Sequence, residues 1–151
     1  MPTPQLPKVI VDMIADIFTV GVEHGKMIDI QTLLNFMSSM YPNVAQIVAA
    51  RADILLRVGN YKEARLLLED ADLRIPNAPI LKAMLAFCLL AQNDPLWESY
   101  ARETMELPED QAARTIVKAL AATRGVTIEA SEGGLNSSYA HAGLPPMGMA
   151  C

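Results

Sequence analysis

Gly59-Asn60-Tyr61-Lys62-Glu63-Ala64 is the turn around which this 151-residue chain is organised. It joins two helical runs, Ala45 to Val58 upstream and Arg65 to Asp72 downstream, the second closed by Arg74-Ile75-Pro76-Asn77. Neither run is long enough to be a stable helix alone, because helix nucleation is costly. Gly59 can take the left-handed backbone that ends the first helix. Asn60 can cap the second, and Glu63, three residues on, completes a capping-box-like pattern. Pro76 then stops it, having no N–H to continue the ladder. The product is a helical hairpin of about 34 residues.

That length is the period of the tetratricopeptide repeat, and the residues resemble it. With Ala45 as position one, Gly59, Tyr61, Ala64, Leu68, Ala71 and Pro76 fall on the motif's Gly, Tyr, Ala, large apolar, Ala and Pro places. Ala52 holds the small place in the first helix, Val48 stands where Trp is usual, and Arg51 replaces an expected Leu. The unit recurs. Thirty-four residues before Gly59 is Gly25, and before Pro76 is Pro42; Leu68 maps to Leu34 and Tyr61 to Met27. Thirty-four after Gly59 is Asn93, a residue tolerated in the left-handed region, and Ala52 maps forward to Ala86. The third unit closes early, at Pro108. Three units are expected, near 11–44, 45–78 and 79–108. The first is atypical, with bulky Phe18, Ile30 and Met37 where the second has Ala52, Ala64 and Ala71, as terminal repeats often are. The fold class expected is all-α, a tetratricopeptide-like right-handed stack of about three helical hairpins plus a capping helix.

Composition agrees. Aromatic residues are 5% of a chain that is 52% hydrophobic, which suits a helical core better than a β-rich one. The net charge of −5, without a basic stripe, disfavours general nucleic-acid binding. Cys88 lies in an apolar helical run and Cys151 is the last residue, contexts that suggest no disulfide and a reducing compartment. The run Val9 to Val22 is broken by Asp12 and Asp16, so neither a signal peptide nor a membrane span is expected there.

In chain order, residues 1–7 read as a flexible, Pro-rich lead, 8–125 as the helical domain and 126–151 as a flexible Gly/Ser/Pro/Met tail. The run Leu81 to Ala91 is apolar almost all round, so it is buried on both sides or offers an apolar surface to a partner. Asp94 with Pro95 opens the sixth helix as N-cap and first helical residue. Glu109-Asp110 puts two carboxylates in the first turn of the seventh, which Gly125 ends.

Little chemistry is expected. His24 precedes a helix-ending glycine, where a capping role suits it, and His141 lies in the tail. No Cys/His spacing suggests zinc, no Gly-rich loop precedes a Lys-Ser/Thr pair, and Gly133-Gly134 reads as linker. Glu69-Asp70 reads as a solvated face. Met13, Met27, Met37, Met40, Met84 and Met105 are either core or a soft binding surface. No enzyme activity, cofactor or metal is expected.

In tetratricopeptide stacks the first helices of the hairpins line a concave face. By register that face receives Ala15, Thr19 and Val22, then Ala49, Asp53 and Leu56, then Ala83, Phe87 and Leu90. These residues are small or apolar, with little charge, unlike the Lys, Arg and Asn of clamps for acidic C-termini. They suit an apolar helix face with anchors at i, i+3 and i+7. The alternative fillers are the protein's own tail, the seventh helix or a second copy.

The segment Leu81 to Trp97 is similar to small HrpK-type proteins encoded in bacterial type III secretion clusters. It has their Ala/Leu-rich run, Cys88-Leu89, an Asn93-Asp94 turn where Gly-Asp is common, and then Trp97. That resemblance covers about residues 10–122 in layout, and the tetratricopeptide-like needle-subunit chaperones of the YscG/PscG type are similar in size and arrangement. The resemblance implies a part in type III secretion. The expectation is a bacterial cytoplasmic chaperone that binds an amphipathic helix of a secreted needle, filament or translocator subunit and prevents its premature polymerisation. A co-chaperone or homodimer is compatible with it, and neither nucleic acid nor membrane insertion is part of it. The alternative is a structural or cell-envelope-associated (periplasmic) component of the apparatus.

Overall fold

The computed structural model describes residues 6–130. Seven helices follow one another there: α1 (Lys8–Glu23), α2 (Met27–Met40), α3 (Ala45–Arg57), α4 (Tyr61–Arg74), α5 (Pro79–Ala91), α6 (Trp97–Glu106) and α7 (Gln111–Arg124). No strand occurs among the described residues. Consecutive helices pair as antiparallel hairpins and the hairpins stack in chain order, so the fold is all-α, as the 34-residue spacing requires.

The caps carry the repeat. Gly25, Gly59 and Asn93 have φ of 69°, 78° and 57°, left-handed values, at the same place in each unit. After each, the next N–H returns to the carbonyl five residues earlier: Lys26 to Gly21 at 2.9 Å, Asn60 to Leu55 at 2.8 Å, Asp94 to Leu89 at 2.9 Å. This closes the last orphan carbonyls of α1, α3 and α5. Gly125 (φ 66°) ends α7 the same way, with Val126 donating to Ala121 at 3.0 Å. The helix read as a cap is therefore built like the first helix of a fourth unit.

Other turns depart from the sequence reading. Asn60 does not cap α4 through its side chain; its amide instead donates to the Glu63 carboxylate. Asp94 and Pro95 precede α6 by a turn, because the Asp94 carboxylate accepts from the Leu96 N–H at 3.0 Å, so the helix starts at Trp97. Asp110 is the N-cap of α7, accepting from the Ala113 N–H at 3.0 Å, and no acidic residue occupies the first turn.

The apolar run of α5 is buried on both sides. Leu81, Met84, Leu85 and Cys88 pack with Val48, Ala52, Ala64, Leu68 and Ala71 of the second hairpin. Ala83, Ala86 and Leu89 face Trp97, Ala101 and Met105 of α6 and Val117, Leu120 and Ala121 of α7. The tail boundary read at residue 126 comes too early, since Ile128 is buried in that same α5–α6–α7 cluster. His141, Cys151, Gly133-Gly134 and the rest of 131–151 lie outside the described residues, as do residues 1–5 of the lead.

The first unit solves its packing differently. Where the later first helices carry Leu55 and Leu89, α1 has Gly21; where α4 has Ala64, α2 has Ile30. A Cβ on Gly21 would lie 2.6 Å from both Cγ1 and Cδ1 of Ile30. Large and small have changed places across the helix pair, so the bulky Ile30 is accommodated rather than strained. Ile30, Leu34 and Ile54 form a small cluster with Phe18, Val22 and Met27 against it.

Polar ties join successive units. Arg74, at the end of α4, donates to the Pro42 carbonyl and to Asn43 Oδ1, both at 2.9 Å, and Arg124, at the end of α7, donates to Asn93 Oδ1 in the turn after α5 at 3.1 Å. Arg51, in its unexpected place, reaches Ser38 of α2 at 3.0 Å. Lys82 on α5 bridges Asp72 on α4 at 2.9 Å and Glu103 on α6 at 3.0 Å, with the Tyr100 ring beneath it. Among the described residues, no helix is long and apolar enough to cross a membrane.

Candidate functional site: an apolar groove beside the first helix

The first helices α3, α5 and α7 pack directly on one another along the stack. Helix α1 does not close on α3 in this way; it is held mainly through α2, and none of its residues is fully buried. The space between α1 and α3 is a groove of about 530 Å3, within the ordinary size range of binding clefts. Val11, Ile14 and Phe18 form its α1 wall, Ile47, Ala49 and Ala50 its α3 wall, and Ile80, Met84 and Ile116 its floor from α5 and α7. Leu6 also lines it, so the described end of the lead belongs to the wall.

Of the nine residues assigned to the concave face, Ala15, Thr19, Ala49 and Asp53 line this groove. The other five do not. Val22 packs against the Ile30–Leu34–Ile54 cluster. Leu56 and Ala83 are buried in the stack, at 6% and 0% exposure. Leu90 packs against the α5–α6–α7 cluster, and Phe87, 39% exposed, lies outside the groove lining. Two causes separate them from the groove: Leu56 and Ala83 face into the stack, and the lining on α3 and α5 runs only from Gln46 to Asp53 and from Ile80 to Met84, short of Phe87 and Leu90. The residues that sequence reasoning missed, Val11, Ile14, Phe18, Ile80 and Met84, were all legible as apolar helix positions. What hid them was the gap between α1 and α3, which periodicity assumes away.

The groove is sparse in charge. Asp12 pairs with Lys8 on α1 at 2.7 Å, and that carboxylate raises the lysine above its ordinary pKa. Asp53 pairs with Arg57 on α3 at 2.7 Å, and Asp110 caps α7. Thr19, the one hydroxyl among the described lining residues, donates to the Ala15 carbonyl of its own helix at 2.9 Å. His24 lies outside the groove; its Nδ1 contacts the Val20 carbonyl at 2.8 Å at the end of α1, a capping position.

A second apolar surface covers the outer side of the first hairpin. Val9, Met13, Ile17 and Val20 are each about half exposed or more on α1, as are Phe36 and Met40 on α2. The methionines accordingly divide, with Met84 and Met105 in the core and Met13 and Met40 on this surface.

Cys88 is fully buried, and its Sγ donates to the Tyr61 carbonyl at 3.1 Å. Burial pushes this thiol above its ordinary pKa, with Arg65 opposing and Glu69 adding to the shift. It is a packing residue that also ties α5 to the start of α4.

Among curated proteins, none matches this chain. A bacterial type III secretion family does match it, over residues 1–126, a span that includes all seven helices, both walls of the groove and the turn Asn93-Asp94. The chain belongs to the bacterial type III secretion protein family HrpB1_HrpK.

Proposed function

We propose that this chain is a non-enzymatic type III secretion chaperone. Its groove would seat an amphipathic helix of a needle, filament or translocator subunit in the bacterial cytoplasm and prevent premature polymerisation. The observation that carries the reading is the apolar groove between α1 and α3, which the chain's own described residues leave open. A guest helix laid there would bury one apolar face against Ile14, Phe18, Ile47 and Met84, the helix-in-groove mode of recognition. Each Å2 of apolar surface removed from water contributes about 25 cal/mol, against which stands the cost of ordering the guest. Masking the face by which a subunit meets its neighbours suffices to block assembly; no bond need be made or broken.

The test is direct. The protein is mixed with each needle, filament and translocator subunit of its own secretion cluster, and polymerisation is followed by light scattering. An equimolar amount of the wild type should hold one of them soluble, and Ala15→Arg, on the exposed groove wall, should remove that effect without loss of helicity. If the wild type slows none of them, the proposal fails.

The exposed apolar side of α1 and α2 favours a second reading, a structural or envelope-associated part of the apparatus that a neighbouring component covers. Cell fractionation separates the two readings, since the chaperone belongs with the cytoplasm and the component with the envelope.

A further inference from the structure

Among the described residues, three aspartates and one lysine are the charged side chains of the groove lining, and the aspartates come from α1, α3 and the N-cap of α7. Asp12 stands on α1, Asp53 on α3 and Asp110 at the start of α7, around a lining otherwise apolar but for Gln46 and Thr19. Lys8 is engaged with Asp12 on its own helix, and Arg57, which holds Asp53, does not line the groove. The described lining therefore carries a net charge of −2, three aspartates against one lysine, within the chain's overall −5.

We infer that the groove is selective for a helix whose apolar stripe is flanked by lysine or arginine, and that it rejects one flanked by acids. The inference rests on the helix-docking reading and adds the guest's charge pattern to it. A guest lying between α1 and α3 has its apolar stripe against the floor, which brings its flanking positions to the two rims. Cationic flanks there meet Asp12 on one side and Asp53 on the other, while acidic flanks meet like charge. The Lys8–Asp12 and Arg57–Asp53 pairs do not block this. They join neighbours one helical turn apart on the surface, where such pairs are weak, so a guest cation can share either carboxylate.

The probes are three fluorescein-labelled helical peptides of about 20 residues, with one Leu/Ala stripe in common and Lys, Gln or Glu at the flanking positions. Fluorescence anisotropy against the full chain should show the Lys peptide bound about tenfold more tightly than the Glu peptide at low salt, with Gln between them. The gap should shrink severalfold in concentrated salt, where exposed charges are screened. Asp12→Asn with Asp53→Asn should remove most of the preference of the Lys peptide over the Glu peptide, and circular dichroism checks the fold. Ala15→Arg should weaken all three peptides, locating them in the groove. Equal binding of the three peptides by the wild type overturns the charge inference and leaves helix docking standing. Binding of none overturns both, and a preference that survives the double Asn variant overturns the assignment to Asp12 and Asp53.

Discussion

Replacing Gly21 with alanine adds one methyl group where α1 crosses α2, and two opposed effects decide the result. In a helix interior, glycine to alanine by itself stabilises by about 1 kcal/mol. Here the new carbon would sit 2.6 Å from two atoms of Ile30, about 1 Å inside ordinary contact distance. Ile30 is 4% exposed, and its β-branched side chain is nearly fixed at χ1 in a helix, so Cγ1 cannot swing away. Helix α1 must move instead, and overpacking of this kind costs about 1–3 kcal/mol. The net expectation is a loss of about 1 kcal/mol in chemical denaturation followed by far-UV circular dichroism, with hydrogen exchange rising mainly in residues 8–40. In an Ile30→Ala background, itself destabilised by about 2–5 kcal/mol, the same substitution should instead stabilise by about 1 kcal/mol. The coupling between the two positions is then about 2 kcal/mol. If Gly21→Ala stabilises equally in both backgrounds, the exchange of large and small residues across the first hairpin is not what seats α1.

Lys82 is pushed down by burial, but the Asp72 and Glu103 carboxylates outweigh that and hold it above the ordinary lysine value. A raised lysine pKa gives stability that is fully present below the unfolded value near 10.4 and is lost as pH rises through the folded value. Lys82→Gln should flatten the alkaline fall in stability and cost about 2 kcal/mol at neutral pH, since Asp72 Oδ1 already lacks a partner. Gly59→Ala meets no atom within 4 Å, so its cost should be the left-handed backbone alone, about 1 kcal/mol by denaturation. Truncation after Gly125 should be less stable than truncation after Ala130 by about 2 kcal/mol, because Ile128 leaves its cluster. In a Cys151→Ser background, a thiol reagent should modify native Cys88 only as fast as the protein opens; rapid modification would contradict its burial.

Left-handed caps at Gly25, Gly59 and Asn93, prolines at 42 and 76, and apolar positions at helical spacing were all determined by local chemistry, so the sequence by itself specified seven helices and their order. The hairpin period follows from the same local rules, while the all-round apolar run of α5 left two readings open, and its packing against α3, α4, α6 and α7 decided for burial on both sides. The shape of the groove does not. Periodicity places every first helix alike, but whether α1 closes on α3 depends on volumes contributed by Phe18, Gly21 and Ile30 from two helices at once. That is why, of residues that register placed alike, Ala15, Thr19, Ala49 and Asp53 line the open groove while Leu56, Ala83 and Leu90 are packed into the stack. A residue's place on a helix is fixed by its neighbours in the chain, but the space in front of it is fixed by the side chains of other helices, and only the folded structure brings those together.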